Sequence, residues 1–552
     1  MRLKNILRKI KFINKFKSHD PSLKLSFENM SNKYAYTLLG TIVIIAFLFR
    51  ILYFNQNPPS LNQDEAMNGY NSFSLSKTLM DSRGFFLPSL AHGFGNVDFR
   101  SPLYMYLSVP FMWLMGLSET STRLASLVFN ILLLPIIYMF VHKLINNKVI
   151  ALISCLFLAL NPWHFHYSRI GHEASISPFF YFLLLLLLLT ALKGERYKLM
   201  FIFTGIIMGI SIYSYQVARV LSPMLFIFLC TVYYKESIKK IKYVVISALV
   251  AMIIAFPLIY SSVLSPGDLE SRYEQVNIFH GENVIVTFLS NYFTHFSPSF
   301  LFFKGDESNI PGMNGQAGMF LIYVAPLMIL GIYYLIMNYK ISIYKREIIV
   351  LFGLLLLYPL PTAITNPAPH ALRAFTLIPI LEVISAIGIW YLLGTFFMRF
   401  SNVKIRLFVS ALSLFIIMCC FGNFAIKYYF TYPKHLEDYY QFGIKEAVEY
   451  IRDNQDKYDK IYFTSHSNQP FVYFLFYLNY DPGKYIKVKK DVNYKGFGVV
   501  RSFDKYYFVP DKKMPLNERN CLFICKTSNM PGKELLKEIK NSSGKTVFTI
   551  WQ

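Results

Sequence analysis

Charge is the first thing this chain has little of. Of 552 residues, 16% are Asp, Glu, Lys or Arg and 54% are hydrophobic. That much charge cannot cover the surface of a soluble protein of this length, so the soluble globular class is excluded. Nucleotide signatures are also missing. There is no Asp-x-Asp pair of the kind that holds a metal-bound nucleotide sugar, and no Rossmann glycine fingerprint. Gly544-Lys545-Thr546 is like the end of a P-loop, but Ile539 stands where the first glycine is required. Nucleotide-driven chemistry therefore has no support. Cysteine is scarce, with six in all. Cys155, Cys230, Cys419 and Cys420 fall in apolar runs and read as small core residues. Cys521 and Cys525 flank an expected strand, and four strand residues span roughly 13 Å, beyond disulfide reach. No Cys/His spacing suited to a metal occurs, and no metal or cofactor is expected.

What is present is a series of apolar runs near the bilayer-spanning length of about 20 residues. They lie at 36–54, 120–142, 148–161, 177–192, 199–214, 218–234, 243–262, 318–338, 348–363, 374–397 and 405–426. The expected fold is therefore a polytopic α-helical membrane protein with about 11 transmembrane helices. The net charge of +23 does not point to nucleic acid. The basic residues gather in short connections such as Lys193 to Lys198, Lys235 to Lys242 and Arg399 to Arg406, as the positive-inside rule requires of cytoplasmic loops. Residues 1–36 read as a basic amphipathic segment on the cytoplasmic face of the plasma membrane. Residues 37–430 form the membrane domain, with large external loops at 55–120 and 261–318. The apolar stretch Leu103 to Leu117 contains Pro110 and is left out of the count, as an interfacial or re-entrant piece. Residues 431–552 are richer in charge and alternate strand-like and helix-like segments, which predicts a small extracytoplasmic α/β domain. Helices are expected over Glu437 to Asn454, Gln469 to Asn479 and Pro531 to Ile539. Strands are expected at Lys460 to Thr464, Gly498 to Phe503, Cys521 to Lys526 and Thr546 to Trp551.

The chemistry gathers on the external side of this topology. Asp64 and Glu65 emerge together after the first apolar run. A carboxylate there can accept a hydroxyl proton while that oxygen attacks an anomeric carbon. The bland reading is a solvated pair or a helix cap. Asp98 lies on the same loop, where a second carboxylate could orient the acceptor. Arg100, Arg123, Arg169, Arg219 and Arg373 all fall at external helix ends. Any one of them alone reads as snorkelling to headgroups, but five on one face favour an anionic ligand. His164, His166, His172, Glu173 and His370 sit beside them. Glu382 lies inside a span, where an ionisable residue is a functional candidate by default.

These residues carry a resemblance. Asn57-Pro58-Pro59-Ser60-Leu61-Asn62-Gln63-Asp64-Glu65-Ala66 and Asp98-Phe99-Arg100-Ser101-Pro102-Leu103-Tyr104 are its most specific parts. Thr122-Arg123-Leu124-Ala125-Ser126, Asn161 through Ile170 and Pro369-His370-Ala371-Leu372-Arg373 extend it through the membrane part. The chain resembles the GT-C membrane glycosyltransferases, in particular prokaryotic relatives of the protein O-mannosyltransferases and of the lipid A aminoarabinose transferase. Relatives usually carry Lys-Pro-Pro where this chain has Arg100-Ser101-Pro102, so the positive charge is kept and one proline is not. The resemblance implies an inverting hexosyl or pentosyl transfer from a polyprenyl-phosphate sugar to an acceptor on protein, lipid or cell-wall glycan. Asp64 would be the base, with Glu65 beside it. The substrate would be held by Asp98, Arg100, Arg123, His164, His166, Arg169, Glu173, Arg219, His370 and Arg373. The alternatives are a flippase or transporter of lipid-linked saccharides, which should carry charge near the membrane midplane, and a glycan ligase or polymerase.

Overall fold

The computed structural model describes residues 30–94, 98–195, 197–264, 276–307, 317–339, 344–400, 402–493, 499–527 and 529–552. The basic segment expected at 1–36 lies almost wholly outside them. The helices used below are α1 (Asn32–Ile51), α2 (Gln63–Thr78), α3 (Leu103–Met115), α4 (Glu119–Ile145), α5 (Lys148–Leu160), α6 (Pro162–Tyr167), α7 (Ser177–Lys193), α8 (Tyr197–Ser211), α9 (Ala218–Val232), α10 (Ile241–Leu264), α11 (Val284–Thr294), α12 (Val324–Tyr339), α13 (Lys345–Leu357), α14 (Ile378–Arg399), α15 (Val403–Phe430), α16 (Ile444–Asn454) and α17 (Pro470–Tyr477).

Every apolar run named from the sequence falls on a helix. Among the described residues, seven helical stretches, of 19 to 28 residues, are long and apolar enough to cross a bilayer. α5, α8, α9 and α12 are equally apolar but have only 13 to 16 residues. α3 is a continuous 13-residue helix with Pro110 inside it, so the proline does not break it. Its last turn exposes Trp113, Leu114 and Met115.

Packing in the bundle follows the membrane rule that small residues let backbones meet. A side chain at Gly388 of α14 would strike the Leu327 carbonyl of α12 at 1.9 Å. One at Gly331 of α12 would strike Ile384 O at 2.0 Å. The outward faces of α1, α10 and α15 carry exposed Ile, Leu, Phe and Val, the surface a lipid-facing helix presents.

The C-terminal part is an α/β unit. Its strands are β3 (Lys460–Thr464), β4 (Lys490–Asn493), β5 (Val499–Phe503), β6 (Tyr506–Val509), β7 (Cys521–Cys525), β8 (Leu535–Lys540) and β9 (Thr546–Trp551). They form one sheet in the order β4-β5-β6-β3-β7-β9-β8. β3 is parallel to both β6 and β7, and the other pairs are antiparallel. One expectation is overturned here. Pro531 to Ile539 is not helical; Leu535–Lys540 is an edge strand paired to β9. Helix-forming Leu, Lys and Glu in that segment yield to the unpaired edge of β9. The expected helix at 437–454 begins only at Ile444, after Gly443 at φ 89°.

This unit does not stand apart from the bundle. Leu61, Ala66, Met67, Tyr70 and Phe73 of the α2 region share one buried core with Ile444, Val448, Phe471, Phe474 and Ile524. A Cβ on Gly69 would lie 2.4 Å from Thr122 Oγ1 and 2.7 Å from Phe476, so α2 is pressed between α4 and α17.

Candidate active site

The site begins with the start of α2. Asn62 is its N-cap, accepting from Glu65 N at 2.9 Å, while Glu65 Oε2 accepts from Asn62 N at 3.2 Å. This capping box makes Asp64 and Glu65 consecutive residues of a helical first turn, so their side chains point in different directions.

Glu65 points inward. Its Oε1 accepts from Arg123 Nε and from Gly171 N, both at 2.8 Å, and its side chain is 0% exposed. Arg123 also donates to the carbonyls of Ser60 (2.5 Å) and Pro58 (3.3 Å). The pair is a closed knot that staples the 58–65 loop to α4. Every oxygen of Glu65 is occupied, which is a structural position.

Asp64 points the other way. Its Oδ1 accepts from Arg100 Nη2 at 2.6 Å, and Arg100 Nε donates to Asp98 Oδ2 at 2.9 Å. A short antiparallel pair, β1 (Ala91–His92) with β2 (Phe99–Arg100), presents Arg100, whose guanidinium lies 4.6 Å from the Phe94 ring centre. Gly93 permits the closeness, since a Cβ there would overlap Asp98 Oδ2 at 2.0 Å. Asn68, one turn beyond Asp64, donates to Glu173 Oε2 at 3.0 Å and receives Arg100 Nη1 at 3.5 Å. Burial opposes the charge on Arg100, but Asp98, Asp64 and Glu173 outweigh it and hold the guanidinium above its ordinary pKa. Side-chain exposure separates the acids: 18% for Asp64, against 1% for Asp98, 6% for Glu173 and 0% for Glu65.

The arginines and histidines sort in the same way. Arg169 was expected to hold phosphate, but its guanidinium is buried under five donations to backbone carbonyls. These are Arg50 O (2.5 Å), Leu52 O (2.8 Å), Tyr53 O (2.8 Å) and Asn57 O twice (2.7 and 3.1 Å). All four carbonyls lie at the C-terminal end of α1 or in the loop after it, where a cation is favoured. It has no donor left for a ligand. His166 is held between the hydroxyls of Tyr428 and Tyr432, both at 2.9 Å. His164 is buried against Arg50 Nη2 at 3.0 Å. His172 caps a 3-10 turn by accepting from Ala174 N at 3.1 Å, and its ring faces Tyr215 at 6.1 Å.

Arg219 is different. It lies one turn beyond Tyr215, is half-buried, and its Nε has no hydrogen-bond partner. Arg373 is also half-buried and donates to Thr365 Oγ1 (2.9 Å) and Asn366 O (3.1 Å). Glu382 lies one turn into α14, buried, with Oε1 accepting from Asn161 at 2.8 Å and Oε2 without a partner.

Three groups escape the sequence reading. Asp306, from the loop before α12, is fully buried and accepts from Ala371 N at 2.7 Å, next to His370. Tyr439 and Tyr473 come from the C-terminal part. Burial raises the pKa of both, Asp64 and Glu65 raise it further, and Asp306 acts on Tyr439 as well. Tyr473 donates to Leu61 O at 3.2 Å. No motif signals these residues. Tyr473 reaches the site because α17 packs on α2, and Asp306 is held by the backbone beside His370.

Comparison with known proteins bears on the fold. Residues 100–260 match the dolichyl-phosphate-mannose-protein mannosyltransferase family. Over 94% of this chain and 98% of its own, ArnT from Cupriavidus metallidurans bound to undecaprenyl phosphate superimposes with a TM-score of 0.55 at 12% identity. The Archaeoglobus fulgidus oligosaccharyltransferase in complex with Zn and sulfate does so with a TM-score of 0.50 at 12% identity, over 80% of this chain and 61% of its own. No curated protein matches by sequence. The class is thereby defined: this is a multi-pass membrane protein with the fold of the GT-C glycosyltransferases, as the resemblance implied.

Proposed function

We propose that the protein transfers a sugar from a polyprenyl-phosphate donor to an acceptor hydroxyl, with inversion, at the membrane face that bears Asp64. The observation that carries this reading is the exposure of Asp64. Among the clustered carboxylates Asp64 is the one open to solvent, and it stands on a rigid helix start. A base must reach its proton, and a fixed carboxylate within hydrogen-bond distance of an incoming hydroxyl meets that need. Arg100 Nη2, donating to Oδ1 at 2.6 Å, orients the carboxylate.

The leaving group is a polyprenyl phosphate, which needs cations able to form new bonds. Arg219, whose Nε has no hydrogen-bond partner, fills that role in place of Arg169, because a guanidinium in a partly dry site stabilises developing negative charge strongly. The charge distribution supports an enzyme over a transporter. Among the described residues, Arg50, Arg123 and Glu382, charged groups buried in spans, sit within about two turns of the helix ends that meet the site, not at the middle of the bundle. That side is read as extracytoplasmic from the positive-inside pattern.

The test is purified protein incubated with polyprenyl-phosphate sugars, scored by release of polyprenyl phosphate. Release by wild type and its loss in Asp64→Asn support the reading. Full activity in Asp64→Asn removes the base assignment.

A further inference from the structure

We propose that the C-terminal unit supplies an acceptor site for a neutral saccharide, formed by Tyr439, Gln441, Ser467 and Asn468 beside the Asp64 turn. The proposal rests on the glycosyltransferase reading for its role and deepens it by naming the acceptor class.

A chain of hydrogen bonds links these residues to the site. Leu61, three residues before Asp64, accepts from the Tyr473 hydroxyl at 3.2 Å. Gln441 Nε2 donates to that hydroxyl at 3.1 Å and to Asn468 O at 3.0 Å, and its Oε1 accepts from Asn468 N at 2.9 Å. The loop after β3 is therefore tied, through one glutamine and one tyrosine, to the turn that holds the base. Gln441 adopts φ 48°, a left-handed conformation that a non-glycine residue keeps only where its surroundings impose it.

The chemistry of the loop after β3 is neutral. From Thr464 to Pro470 the loop reads Thr-Ser-His-Ser-Asn-Gln-Pro, with no Asp, Glu, Lys or Arg. Ser467 is 6% exposed and its Oγ has no hydrogen-bond partner. A buried hydroxyl left unpaired is costly, which makes it an expected contact for a ligand hydroxyl. Asn468 and His466 are exposed on the same loop. Tyr439 is half-buried and stands edge-on to Tyr440, with ring centres 5.3 Å apart at 85°. An aromatic ring beside neutral amides and hydroxyls suits the apolar face and hydroxyl rim of a pyranose. A phosphorylated or acidic acceptor would need cations here, and Arg100 and Arg123 are already committed to carboxylates.

The experiment uses the full chain in lipid nanodiscs and needs no donor. Saturation-transfer NMR is recorded with maltotriose as the neutral glycan and with an uncharged serine-containing hexapeptide as the competing class. Wild type and Asp64→Asn are expected to transfer saturation to maltotriose. Tyr439→Leu is expected to weaken it roughly five- to tenfold, the worth of one ring contact, and Tyr439→Phe to retain it. Asn468→Ala, which removes an exposed side chain and leaves the backbone bonds to Gln441, is expected to weaken it as well. No transfer to maltotriose in wild type, preference for the peptide, or equal signals from Tyr439→Leu and wild type overturns the proposal. Because the readout is binding, its failure is separate from failure to release polyprenyl phosphate, which would strike the glycosyltransferase reading alone.

Discussion

Two acid–arginine clusters sit back to back on one helix turn, and they have opposite characters. Glu65, Arg123 and Gly171 form a closed set in which each carboxylate oxygen is bonded and none is exposed. Asp64, Arg100 and Asp98 form a second set, in which one carboxylate remains open to solvent. The two acids are adjacent in sequence and share a residue class, so the helical turn between them decides their roles. The first set holds the loop; the second is placed by it. The same division separates Arg169, whose five donations are spent on four carbonyls, from Arg219, whose Nε is unpaired.

The comparison can be broken by substitution. Removing one member of the closed set should cost most. Glu65→Ala leaves Arg123 buried without its counter-charge, and Arg169→Ala leaves carbonyls unbonded, so each should lose about 3–5 kcal/mol of stability, seen as loss of folded protein in detergent. Asp64→Asn belongs to the other class. Its melting temperature should stay close to wild type while transfer falls by a factor of about 10² or more. Equal stability loss in Asp64→Asn and Glu65→Ala would erase the distinction.

A smaller effect concerns His295 of the loop region, which orders the segment carrying His370 and Arg373. Its Nδ1 donates to Asn291 O at 2.7 Å and its Nε2 accepts from His370 N at 3.3 Å. Burial first, then Arg373, depress its pKa to about 4, with a backbone bond to Asn291 opposing. The folded state therefore holds it neutral. Its contribution is present above the unfolded value of about 6.5 and is lost as pH falls toward 4, by about 2 kcal/mol at pH 5. Thermal unfolding across that range should show the slope in wild type and not in His295→Gln. The smallest expected effect is Arg219→Gln, which should raise the donor KM about tenfold with stability unchanged. An unaltered donor KM would return Arg219 to a structural role.

Much of the membrane part could be read from the chain because apolar runs and bilayer length leave little choice of structure. The capping residue Asn62 and the acids after it are likewise local, and the motifs around Asp64, Asp98 and Arg100 mark the site region. Residue roles were less legible. The five arginines look equivalent in sequence, since each follows or precedes an apolar run. Their roles depend on which carbonyls and carboxylates the folded chain brings within 3 Å. The segment 531–539 misleads for a related reason: its helix-forming residues say nothing about the open edge of β9 that recruits them.

Sequence alone determined that this is a membrane protein and where its apolar helices lie. These are matters of composition and of contacts within a few residues. Tertiary structure alone decided that Glu65 and Arg169 are spent on holding the scaffold, that Asp64 stays open, and that Asp306, Tyr439 and Tyr473 join it. Those facts rest on pairings across 36 to 412 positions of chain, and no local pattern encodes a partner so far away.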